Sequence, residues 1–248
     1  MFESIKRWMA GDRPEGPDWS AVSAWASQHG HRFKRAKEEQ GFVIEGAFGD
    51  RPWRLEWGPP QRAYIDTEEL RIRMELKLPS DLQMMVLTRP LLELLERETF
   101  EHYTESTQTH IDIATPEEMR WLAMFPKVTL VLPKAVRGRF GAVGSNPQTT
   151  AAWVDGTFAQ QLEQATQGLL ASEPPLVLMT LRGRVYLRLE LDPPDPLAIA
   201  QAVDLFHAAA QAALNVSGTA QEGQPEWPTT ASTAWQSQLD DLGDRRRR

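Results

Sequence analysis

Leu70-Arg71-Ile72-Arg73-Met74-Glu75-Leu76-Lys77-Leu78 alternates apolar and charged residues without a break. In an extended chain successive side chains point to opposite faces, so the leucines, Ile72 and Met74 line one face. Arg71, Arg73, Glu75 and Lys77 line the other. A strand with one apolar and one charged face belongs in an antiparallel sheet that packs on a core at one side and meets water at the other. The upstream residues repeat the pattern. Phe42–Phe48 turns at Gly49-Asp50 into Trp53, Leu55 and Trp57, with Arg54 and Glu56 between them; residues 31–37 offer a further strand. A second hairpin follows later, Leu176–Leu181 and 184–191 joined by Arg182-Gly183. Its returning arm sets Val185, Leu187, Leu189 and Leu191 against Arg184, Tyr186, Arg188 and Glu190.

Helix signals surround these strands. Asp18 is placed to cap a stripe of Trp19, Val22, Trp25 and Ala26 that stops at Gly30. Ser80 and Gln83 have capping-box spacing, and Pro90 fits the first turn of a helical piece running to Tyr103 with Leu91, Leu92, Leu94 and Leu95 on one face. Thr115-Pro116-Glu117-Glu118 combines an N-cap threonine, proline at N1 and glutamate at N3, ahead of Met119, Leu122 and Phe125. Thr157 caps a helix carrying Phe158, Leu162, Ala165 and Leu169, and Asp195-Pro196 starts a final one to Leu214 striped by Ile199, Val203, Phe206 and Ala210. Residues 107–113 and 128–132 read as short strands, and 138–146 as a glycine-rich connecting loop.

The expected fold class is therefore α+β, an antiparallel meander sheet and a C-terminal hairpin packed by helices. One domain is expected over 1–215, with 216–248 a flexible or peripheral tail of Ser, Thr, Gln, Gly and Pro. Gly49-Asp50-Arg51, Arg54-Leu55-Glu56 and Pro59-Pro60 are echoed by Gly183-Arg184, Arg188-Leu189-Glu190 and Pro193-Pro194. That echo raises a duplication into pseudo-symmetric halves, 17–105 and 106–215. The order of elements loosely resembles small bacterial chaperone-type α+β folds in architecture, shares no motif with them and fixes no activity.

Composition closes off several chemistries. The 248 residues include no cysteine, which excludes disulfides, thiolate nucleophiles, cysteine-held zinc and iron–sulfur clusters. A net charge of −7 argues against general nucleic-acid binding, which draws on a basic face. No leader-like apolar segment and no run of about 18 apolar residues stands out, so a cytoplasmic protein without a membrane span is expected. Neither Gly-x-Ser-x-Gly nor a P-loop ending is present, and no catalytic residue, cofactor or metal ligand set is assigned. His110 with Asp112, and His102 with Glu105, fall short of a converging metal set. Glu45, Glu56, Glu75 and Glu190 alternate with arginines and read as cross-strand ion pairs on a wet sheet face.

Three places are left over. Lys134, Arg137 and Arg139 stand around Gly138, Gly141 and Gly144, so an anion or nucleic-acid site is one alternative there. The final helix is almost uncharged, with Asp204 its one formal charge, which makes Ile199, Val203 and Phe206 candidates for a contact with a partner or a second copy. Trp227 and Trp235 are aromatic anchors in a polar tail and candidates for the same role. The first reading is a non-enzymatic interaction or accessory protein that binds another protein or itself. An enzyme with a dispersed site is the second alternative.

Overall fold

The computed structural model describes residues 18–36, 41–105 and 115–222. Nine strands form one antiparallel sheet: β1 (Arg32–Arg35), β2 (Phe42–Phe48), β3 (Arg51–Gly58), β4 (Glu69–Glu75), β5 (Met84–Thr88), β6 (Lys127–Val128), β7 (Phe140–Gly144), β8 (Leu176–Leu181) and β9 (Arg184–Glu190). Their spatial order is β1-β2-β3-β4-β9-β8-β5-β7-β6. The first four strands are the expected meander, and the β8–β9 hairpin is set between β4 and β5. The described helices are α1 (Ser20–Gln28), α2 (Arg89–Glu105), α3 (Glu117–Met124), α4 (Pro147–Trp153), α5 (Gly156–Ala165) and α6 (Pro196–Glu222). The class is α+β, as the alternation at 70–78 requires. Strands from 17–105 and 106–215 interleave, since β5 lies between β8 and β7.

The register puts Leu70 opposite Trp57 and Leu189, and Ile72 opposite Leu55 and Leu187. This apolar face is covered by α1, α4, α5 and α6, through Val22, Trp153, Phe158, Leu162 and Phe206 among others. Helix α6 supplies most of the cover. Ile199, Ala202, Leu205, Phe206, Ala209, Ala210 and Ala213 are all buried in it. Over Pro196–Gly218 the helix is long and apolar enough, at a mean hydropathy of 1.3, to cross a membrane by length and composition. Half of that stretch is buried inside the fold, as the core helix of a folded domain also is. Its start is capped as expected: the Asp195 carboxylate accepts from the Leu197 and Ala198 amides.

Three expectations are corrected. The segment read as the start of a helix at Ser80 contains β5, a strand buried on both faces. Met84 and Val86 enter the first core while Met85 and Leu87 enter a second one, and a continuous apolar run gives no period to distinguish strand from helix. The glycine-rich stretch expected as a connecting loop contains β7, paired along its length with β5. Gly141 and Gly144 are strand residues: a Cβ on the first would run into Leu92 and on the second into Thr150. Gly144→Ala is thus expected to destabilise the fold by about 1–3 kcal/mol through overpacking, read as a lowered urea midpoint. The strand expected at 128–132 pairs only as Lys127–Val128, and the one at 107–113 lies outside the described residues.

Candidate functional site: the charged half of the second sheet face

The second face of the sheet is divided. Over β5, β7 and β8 it is apolar, and Met85, Leu87, Val143, Val177 and Met179 pack beneath Leu91, Leu92 and Leu95 of α2 and Trp121 of α3. Over β1 to β4 and β9 it carries the charges that the alternation predicts. Glu45 on β2 accepts from Lys34 of β1 at 3.0 Å and from Arg54 of β3 at 3.0 Å, with Arg32 at 3.2 Å. Arg54 also reaches Glu56 at 2.6 Å, and Glu56 in turn lies 3.6 Å from Arg71 and 3.8 Å from Arg73. Glu75 on β4 pairs with Arg184 on β9 at 2.6 Å. In register Arg54 lies opposite Arg73 and Arg71 opposite Arg188, so the glutamates are shared diagonally between neighbouring arginines rather than matched one to one. The Lys34 hydrogen bond holds the Glu45 carboxyl below the usual carboxylate range, and the Arg184 bond does so for Glu75. At Glu56 burial works the other way, and the Arg54 bond with the charges of Arg54, Arg71 and Arg73 outweighs it.

At the border between the two halves the charges go inside. Glu69 and Glu118 are both fully buried. Glu69 accepts from the Gln61 amide at 2.7 Å, from Arg71 at 3.1 Å and from Arg188. Glu118 accepts from Arg62 at 3.2 Å and from the Tyr64 hydroxyl at 3.0 Å, with Arg188 at 3.7 Å. Arg188 thus bridges a strand carboxylate and a helix carboxylate. Burial first, and then the Glu118 charge, push the Tyr64 hydroxyl well above its ordinary value, so it stays a hydrogen-bond donor. Every oxygen of both carboxylates is engaged, which suits a latch tying α3 and residues 61–64 to the sheet and leaves no free base. Glu118 reads in the sequence as a helix-capping glutamate; its carboxylate instead turns to Arg62, Tyr64 and Arg188.

Outside this latch the charged half is open. Arg32, Arg73 and Arg184 keep 72%, 58% and 52% of their side-chain surface exposed. With Ala47, Pro52 and Glu75 they line a wide depression of about 860 Å³. Basic side chains outnumber acidic ones on this face although the chain as a whole is acidic.

The residues singled out from the sequence are placed as follows. Lys134 and Arg137 are exposed in the turn after Pro133, where Val136 and Arg137 donate to the Pro133 carbonyl. Arg139 is turned away from them: it pairs with Glu173 at 2.8 Å and donates to the Leu170 carbonyl at 2.7 Å, clamping the turn that follows α5. Ile199, Val203 and Phe206 are buried under the chain's own sheet. Trp227 and Trp235, like His110 and Asp112, lie outside the described residues.

One cluster had no signature in the chain order. His31 and His207 meet at Trp53, the first edge-on at 4.8 Å and the second at 5.7 Å, and His29 joins through His31, on which it stacks at 6.2 Å, and Trp25 at 5.0 Å. His207 also stacks on Phe48 at 4.6 Å, and its Nε2 has no hydrogen-bond partner among the described residues. Burial, and then the charge of His31, lower the His207 pKa to about 4 from an ordinary 6.5. Asp204, three residues earlier on the same helix, is itself raised by burial. Because the folded value is depressed, His207 contributes stability that is present above about pH 6.5 and lost as pH falls toward about 4. His207→Phe should flatten that loss, checked by comparing urea midpoints at neutral pH and at about pH 5 for both proteins.

No family model matches the chain, and no curated protein matches it. Among solved structures it is similar to the mycobacterial trehalose monomycolate transport factor A, TtfA, at 8% identity and a TM-score of 0.45, over 79% of this chain and 93% of that one.

Proposed function

We propose that this protein is a non-enzymatic interaction or accessory protein whose open, charged half-sheet receives an acidic stretch of another protein. The observation that carries the proposal is the division of the second face, closed by α2 and α3 over its apolar half and left open over its charged half. Exposed arginines spread over several strands match a spread of carboxylates on a partner, and a wide shallow depression suits a polypeptide better than a small enclosed metabolite. The interleaved glutamates would repel a continuous phosphate backbone, which favours a protein over nucleic acid.

The test uses poly-L-glutamate as the probe and the double variant Arg73→Glu/Arg184→Glu, both positions being exposed. Wild type should bind it with a salt-dependent affinity, and the variant about tenfold more weakly, with a cooperative melt showing that it stays folded at the binding temperature despite losing the Glu75 pair. Equal binding by the variant, or tighter binding of single-stranded RNA than of polyglutamate by the wild type, would remove the proposal.

A further inference from the structure

We propose that the sheet edge at residues 130–132 takes up an extended acidic segment of another protein as an added strand. This surface is separate from the charged half-face, and the inference stands whether or not that face binds anything.

The edge is built from a strand that stops early. Lys127 and Val128 pair with Val143 and Ala142 of β7, and the ladder ends there. Burial nevertheless keeps the two-residue period of a strand onward: Thr129 is exposed, Leu130 half-buried, Val131 exposed and Leu132 buried. The backbone groups of 130–132 make no hydrogen bond to another described residue. Val131, a β-branched residue that favours strands, is 84% exposed. Edge strands are usually blunted by charge, proline or cover, and an exposed apolar position with unpaired backbone is the template that strand addition uses.

The surroundings specify the chemistry of what binds. A groove of about 520 Å³ runs beside this segment, walled by Leu92, Leu130, Leu132 and Phe140. Its charged lining is Arg89, Lys127 and Arg137, with no carboxylate among the lining residues. Arg89 is spent on the carbonyls of Gly138 and Phe140, and Lys127 on Glu96. The Arg137 guanidinium has no partner among the described residues, its amide alone being bonded, to the Pro133 carbonyl. An incoming strand that alternates apolar and acidic side chains would fill the groove, cover Val131 and meet Arg137 with a carboxylate. Its main chain would take the hydrogen bonds that 130–132 do not make to any described residue.

A fluorescein-labelled peptide of alternating glutamate and valine is the probe, titrated into the full chain by fluorescence anisotropy, with amide hydrogen exchange followed in parallel. The expected result is saturable binding and slowed exchange at 130–132. Arg137→Glu should weaken binding about tenfold, and Val131→Pro should abolish both binding and protection, since proline cannot join a ladder. Arg137→Glu, an exposed change, keeps the test decisive should Val131→Pro fail to fold. A lysine–valine peptide binding equally well would overturn the acidic partner, and binding without protection at 130–132 would overturn strand addition. A concentration-dependent dimer that Val131→Pro dissolves would overturn it in favour of a second copy of this chain.

Discussion

Replacing Glu69 by alanine is expected to cost about 3–5 kcal/mol, the range for removing one partner of a buried ion pair. Glu69 is fully buried and holds Arg71, Arg188 and the Gln61 amide. Its loss would leave two arginines, each less than a fifth exposed, facing each other with only the longer contacts to Glu56 at 3.6 Å and Glu118 at 3.7 Å to offset them. Arg188 is also the bridge to Glu118, so the change should loosen α3 and residues 61–64. Urea denaturation gives the magnitude, and hydrogen exchange over α3 gives the place. Glu69→Gln should recover part of the loss by keeping the acceptor while removing the charge. A midpoint for the alanine variant within error of wild type would show that Arg71 and Arg188 find water or other partners, and that α3 is held by its apolar contacts alone.

Trp153→Ala should be similarly severe, about 3–5 kcal/mol for the loss of a buried tryptophan. The ring is fully buried, lies 5.1 Å from Phe158 and donates from Nε1 to the Ala209 carbonyl at 2.9 Å. It therefore joins α4, α5 and α6 over the first face of the sheet. Trp153→Phe keeps most of the volume and loses the hydrogen bond, so about 1–2 kcal/mol is expected there. A large difference between the two variants would assign the effect to packing; equal losses would assign it to the bond to α6.

Which parts of this structure were legible beforehand follows from where a period exists. Along 70–78 every second residue is apolar, and the register confirms each one facing the core as far as Met74. Leu76 and Leu78 stay buried beyond the ladder's end, where Lys77 takes a positive φ and both leucine amides donate to the Gly183 carbonyl. The Arg182-Gly183 turn and the Asp195 cap were equally readable, because their chemistry is local. β5 was not, since a strand buried on both faces shows no alternation. Nor was the histidine cluster: His31 and His207 lie far apart in the chain, and only the packing of α6 beside the β2–β3 hairpin joins them at Trp53. Charge alternation predicted the ion pairs of Glu45, Glu56 and Glu75 on the open half-face, but not the fate of Glu190, which accepts from the Asp66 amide at 2.7 Å and lies opposite Glu69. It could not separate Glu56, which stays partly exposed, from Glu69, which α3 and residues 61–64 cover.

The open half-face is the central functional claim, and a photo-crosslinker on it tests the claim most directly. The crosslinking residue is placed at Arg73, on the charged face, and separately at Gln160, exposed on α5. Each variant is irradiated in cells with its exposed surface otherwise unchanged. A discrete adduct with one acidic protein from position 73, absent from position 160 and lost when Arg184 is changed to glutamate, is the predicted result. No adduct from position 73, or the same adducts from both positions, would contradict it.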